Sequence, residues 1–209
     1  MMKVLLIPAI LIGLTIHEFA HALVADRLGD KTPKFQGRLT LNPFVHIDLL
    51  GFAMILLIGF GWAKPIETNP AAYKRRYKDD IKVSVAGVVA NFITALVFAL
   101  LTALLVRTGL VNLDNYSTLN GILGSMLSMV VSINCMLCIF NLLPIPGLDG
   151  FHIVRDLFPK FFHSISDFMY RYQLIILLVF VMTPAASWLV GTPYRLLYYA
   201  FMRLGFAIF

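Results

Sequence analysis

Residues 14–30 read LTIHEFAHALVADRLGD. Two imidazoles and a carboxylate, His17-Glu18-x-x-His21, stand in a run of Leu, Ile, Ala and Val. In a helix His17 and His21 share a face and can reach one metal ion. Glu18 sits about 100° round the helix, beside the metal but not bound to it. This is the zinc-hydrolase arrangement, two histidine ligands with the glutamate as general base for a metal-bound water. The alternative is a chance match, or histidines buried for packing. The setting weakens it, because ionisable groups inside a membrane span are costly and by default functional.

The rest of the chain supports a membrane setting. Of 209 residues 59% are hydrophobic, and the mean hydropathy is +0.83. Soluble domains lie near 45–50% apolar, roughly, and a soluble chain of this size could not hide the excess. The expected fold is an α-helical polytopic membrane protein, with all apolar runs in one domain over 1–209. Spans are expected at 4–25, 83–108, 121–143 and 173–191, the last kinked at Pro184. The opening MMK and its apolar run imitate a signal peptide. Cleavage near Ala20–Ala25 would destroy the motif, so the run reads as a retained span.

Residues 49–63, LLGFAMILLIGFGWA, are apolar but short and carry three glycines. Lys and Arg crowd 26–48 and 64–82 and are missing from 109–120. Both basic loops are then cytoplasmic and 109–120 external, which makes 49–63 a reentrant segment. The net charge of +6 belongs to this bias and not to a nucleic-acid site. KFQGRLTL, residues 34–41, alternates polar and apolar and reads as a strand that could pair with an unwound substrate. The tail 193–209 is aromatic and apolar, either interfacial or returning through the membrane.

A catalytic zinc usually has three protein ligands and an open position. The remaining candidates are His46, Asp48, Asp149, His152, Asp156, His163 or a cysteine. With 49–63 reentrant, the third span ends on the same side as His17 and His21, bringing Asp149 to their depth. Pro144 and Pro146 stop the helix there, and Gly147 and Gly150 let the chain turn. By itself Asp149-Gly150 is an ordinary turn; paired with the first motif it is the strongest candidate.

HEFAH on a first span with NLLPIPGLDG, residues 141–150, on a later one resembles the site-2 protease family of intramembrane zinc metalloproteases. Asn141, Pro144, Asp149 and Gly150 match the family's second motif. The resemblance covers residues 4 to about 155. It implies Zn2+ held by His17, His21 and Asp149, Glu18 as the catalytic base, and Asn141 holding substrate or oxyanion. It also implies a lipid bilayer and a membrane-anchored protein substrate as partners; oligomeric state is left open. LTLNPFVHID and GWAKP look like a compact branch without a PDZ or regulatory domain, which points to a prokaryotic plasma membrane; the loop charges put the active site towards the cytoplasm. SVAGVVANF departs from the family in having Val88 where proline is common, while Asn91 is retained.

Several features read as structural. His46 and Asp48 are expected to cap or support the reentrant stretch, and His152 to lie on the surface. Cys135 and Cys138 are expected to pack, and Asn91 and Asn134 to bond helix to helix. KRRYK, residues 74–78, reads as a topology signal facing lipid headgroups. A di-iron desaturase needs around eight histidines, and this chain has five. A non-catalytic scaffold with a relict site would not be expected to keep Glu18, both histidines and Asp149 together.

Overall fold

The computed structural model describes residues 2–59, 61–113, 118–163 and 165–209, without the side chains of residues 2, 3 and 163. The candidate ligand His163, as a side chain, and residues 114–117 of the 109–120 loop lie outside that description.

Among the described residues three helices are long and apolar enough to cross a membrane: α1 (Met2–Leu28), α3 (Arg76–Arg107) and α4 (Leu119–Asn141). Between α1 and α3 lies the ten-residue α2 (Leu49–Ile58). Helix α1 ends in a Schellman motif, with Asp30 N–H on Ala25 O, Gly29 N–H on Asp26 O, and Gly29 at φ 111°. At 1.5 Å per residue, the 32 residues of α3 run about 48 Å, well beyond about 30 Å of hydrocarbon. Its first turns, with Asp79 and Asp80, therefore overhang the bilayer. Large apolar side chains on α3, Phe92, Ile93, Val97 and Leu101 among them, stay exposed. On a soluble protein such a stripe would be a liability; here it is the lipid-facing surface.

The three spans pack against one another. Asn91 and Asn134, both fully buried, bond α1, α3 and α4 together. The Asn91 amide donates to Gly13 O (3.0 Å) and Asn134 Oδ1 (2.9 Å). Cys135 and Cys138 are free and buried, in keeping with a packing role.

The stretch 49–63 leaves and returns at one point. Asp48 caps α2 by accepting from Gly51 N–H at 2.7 Å. Gly59, at φ 81°, turns the chain back. Trp62 O and Gly61 then lie so close to Gly51 that neither glycine has room for a Cβ. Ile47 and Ala63 form an antiparallel bridge, and Lys64 N–H donates to His46 O at 2.9 Å. Ten residues span about 15 Å, half the hydrocarbon thickness.

Residues 34–41 are not a strand. Thr32–Phe35 is a helical turn, and the described residues contain no strand, the Ile47–Ala63 bridge aside. Local capping overrides the alternation: Asp30 Oδ1 accepts from Thr32 N–H at 2.9 Å, and Pro33 presets the first turn. The loop is tied down instead by Arg38, whose guanidinium donates to Lys64 O (2.9 Å) and Pro65 O (2.8 Å). Edge pairing of a substrate to this segment has no strand to rest on.

After α4 comes the short helix α5 (Asp149–Leu157). The apolar helix α6 (Gln173–Met182) stops at Thr183–Pro184, short of residue 191. Helical turns from Pro184 lead into α7 (Thr192–Ile208), bent 78° from α6. Proline removes a helix hydrogen bond and clashes with the preceding turn, so the chain breaks where a kink is expected. Phe201 and Met202 of α7 join Ala95, Ala99, Val131 and Cys135 in one buried cluster. The tail thus packs along the apolar part of α3.

Candidate metal centre and active-site cavity

His17 and His21 lie one turn apart on α1, and Asp149 is the first residue of α5. His17 Nε2 and His21 Nε2 are 3.0 Å apart. Asp149 Oδ2 is 3.4 Å from the first and 3.3 Å from the second. Among the described residues these three form the one group of metal-ligating side chains whose ligand atoms converge. His46, Asp48, Asp156 and the cysteines lie outside it.

The tautomers show what the triangle lacks. His17 Nδ1 faces Asn91 Oδ1 at 2.7 Å, and His21 Nδ1 faces the Val83 carbonyl at 2.6 Å. Both oxygens accept, so both Nδ1 atoms carry the proton, and each ring, once neutral, turns a bare Nε2 lone pair inward. Asp149 Oδ2, the third corner, is buried without a hydrogen-bond partner. Three acceptors facing each other with no donor call for a cation. A tetrahedral zinc at about 2.0–2.1 Å from each ligand separates them by about 3.3 Å. The triangle has that size. Gly87 supplies the space: a Cβ there would collide with His21 Nε2 and lie 2.6 Å from His17 Cε1. The residues fit zinc.

Gly150 brings Asp149 into place, because its bare Cα packs on the Leu142 and Leu143 carbonyls, where no Cβ fits. Glu18 is buried, and its Oε2 accepts from Ile66 N–H at 3.0 Å. Asn141, at the end of α4, donates from Nδ2 to Leu137 O at 3.0 Å. Glu18, Asn141 and the three metal-ligand candidates all line one cavity of about 740 Å³. Leu14, Trp62, Phe140 and Leu177 give it apolar walls.

His46 is fully buried and donates from Nε2 to Thr40 O at 2.8 Å, so it holds the loop before α2. His152 does not sit out on the surface but lines the cavity beside Asp149. Burial, and then the Arg155 guanidinium, hold its imidazole below the usual histidine range, so it is neutral at pH 7. The Ile66 amide and the Val83 carbonyl gave no sign in the sequence, because every residue carries such groups. Asp80 and Arg155 also line the cavity, and nothing in the sequence pairs them across 75 residues.

The profile of peptidase family M50 matches residues 5–112 and 106–183. "Putative zinc metalloprotease YwhC" of Bacillus subtilis (strain 168) is 40% identical over 183 residues, 88% of this chain and 82% of the relative. "Putative zinc metalloprotease Rip2" of Mycobacterium tuberculosis (strain ATCC 25618 / H37Rv) is 30% identical over 203 residues, 92% of this chain and 73% of the relative. Its namesake in Mycolicibacterium smegmatis (strain ATCC 700084 / mc(2)155) is 29% identical over 193 residues, 88% and 69% of the two chains. No solved structure matches the chain significantly. This integral membrane protein belongs to peptidase family M50, the family of the site-2 proteases.

Proposed function

We propose that the chain is a zinc-dependent endopeptidase that cuts membrane-anchored proteins within or beside their transmembrane segments. The observation that carries this reading is the convergence of three bare acceptor atoms, His17 Nε2, His21 Nε2 and Asp149 Oδ2, in a cavity at the end of apolar helices. Bound there, zinc supplies Lewis-acid chemistry that acidifies water and polarises a peptide carbonyl. Glu18, beside the ligands and held at Oε2 by Ile66, takes the proton from the attacking water at its free oxygen and passes it to the leaving amine. Asn141 uses one amide hydrogen on Leu137 O, and the second is available to the oxygen of the scissile carbonyl.

A substrate helix hides its carbonyls in its own hydrogen bonds, so it must unwind before attack. The cavity suits this, with apolar walls for side chains and polar groups among them. The basic residues of 26–48 and 64–82 orient the site towards the cytoplasm of a plasma membrane. Residues 1–209 act as one membrane-embedded unit.

Glu18→Gln, purified in detergent and returned to vesicles with a single-span substrate, tests the reading. The variant keeps about one zinc per chain and loses cleavage. A scaffold would lose nothing, and a folded wild type without zinc would end the proposal.

A further inference from the structure

Arg155 makes three bonds from one guanidinium. Its NH2 group donates to Asp80 Oδ2 at 2.5 Å, on α3. Its Nε donates to Asp156 Oδ1 at 2.7 Å, and its NH1 group to the Tyr170 hydroxyl at 2.6 Å. Asp80 and Asp156 are both buried. The fork thus ties α5 to the overhanging first turns of α3, 75 residues away in sequence.

α5 needs such a tie. It has nine residues, too few to be stable as a helix alone. It carries the aspartate of the metal triangle at its first position. Phe151 and Gly150 anchor its start against neighbouring core. Its far end is fixed to α3 by Arg155.

α3 holds the other two ligands as well. Asn91 accepts from His17, the Val83 carbonyl accepts from His21, and Gly87 makes room for both rings. Positions 80, 83, 87 and 91 are spaced three and four apart, so they lie along one face of α3. From this stripe we infer that Asp80 is a positioning residue for the metal centre: through Arg155 it registers the Asp149 helix against the face of α3 that orients both histidines. This rests on the zinc-site reading above.

The inference predicts a loss of metal affinity and not of substrate affinity. Asp80→Ala should bind Zn2+ about tenfold more weakly than wild type in chelator competition, at the low end for partners lying behind ligands. Its Co2+-loaded form should change its visible spectrum, and Asp80→Glu should recover most of the affinity. Asp80→Asn repeats the measurement with side-chain volume kept, if the alanine variant is not monodisperse. Unchanged zinc affinity in a folded variant overturns the inference while leaving the zinc site standing. So does a raised KM at unchanged zinc affinity, which would assign the pair to substrate contact. Failure of both Asp80→Ala and Asp80→Asn to fold makes the pair a folding element and likewise overturns it. Absence of zinc from the folded wild type would instead remove the metal-site reading itself.

Discussion

Ile66 donates its backbone N–H to Glu18 Oε2 at 3.0 Å, across 48 residues of chain. The amide belongs to the segment that follows α2, while the carboxylate sits between the two histidines of α1 in sequence. One oxygen of the proposed general base is therefore fixed by a group without a side chain. Ile66→Pro removes the hydrogen and Ile66→Ala keeps it. Turnover of the proline variant should fall about tenfold, in line with losing part of a general-base contribution, with zinc content unchanged. Equal turnover in the two variants would show that the amide does not position Glu18.

Gly87 has no room for a side chain beside the metal centre. A methyl group there meets both imidazoles, and neither ring can withdraw while Asn91 and Val83 hold its other nitrogen. Gly87→Ala should leave a helical, membrane-inserted protein with little zinc. Metal analysis of the purified variant checks this; wild-type zinc content would mean that α1 and α3 separate more readily than their packing implies.

Asn91→Ala separates stability from metal binding. The asparagine serves Gly13, His17 and Asn134 at once. Interhelical hydrogen bonds in membranes average about 0.6 kcal/mol, so the fold should lose only about 1–2 kcal/mol. Freeing a ligating imidazole to rotate should lower zinc affinity by about 10–100-fold. A denaturation series in detergent micelles and a chelator titration on the same samples give both numbers. A larger effect on folding than on zinc would mark Asn91 as helix glue alone.

Much of the site is legible in the sequence for one physical reason. Hydrocarbon makes every ionisable group conspicuous, so His17, Glu18 and His21 stand out from α1, and Asp149 from the chain after α4. Asn91 and Asn134 stand out likewise. Three things do not. The alternation of 34–41 imitates a strand, because it takes the carboxylate of Asp30 folding onto Thr32 N–H to show that the chain turns instead. The break at Pro184 is visible, but the 78° bend that follows depends on packing by Phe201 and Met202. Asp80 and Arg155 look like solvated charges until folding brings them together.

Removal of the metal should stop the reaction without dismantling the bundle. The spans are also joined by the bonds of Asn91 to Gly13 and Asn134 and by apolar packing, neither of which passes through the three ligands. Chelator-treated protein should keep its helical circular dichroism and regain cleavage when zinc is added back. Collapse on chelation would show that the ion is also structural.

The ligand triangle also sets an order of events. His21 and Asp149 are 149 − 21 = 128 residues apart in the chain. A polypeptide delivered N-terminus first presents two nitrogens to the bilayer while α3, α4 and the third ligand are still being synthesised. Two imidazoles alone hold zinc poorly. On the proposed three-ligand site, hydrolytic power appears only when the last corner arrives, and the nascent protease passes through the insertion machinery, among other half-inserted helices, without the means to cut them.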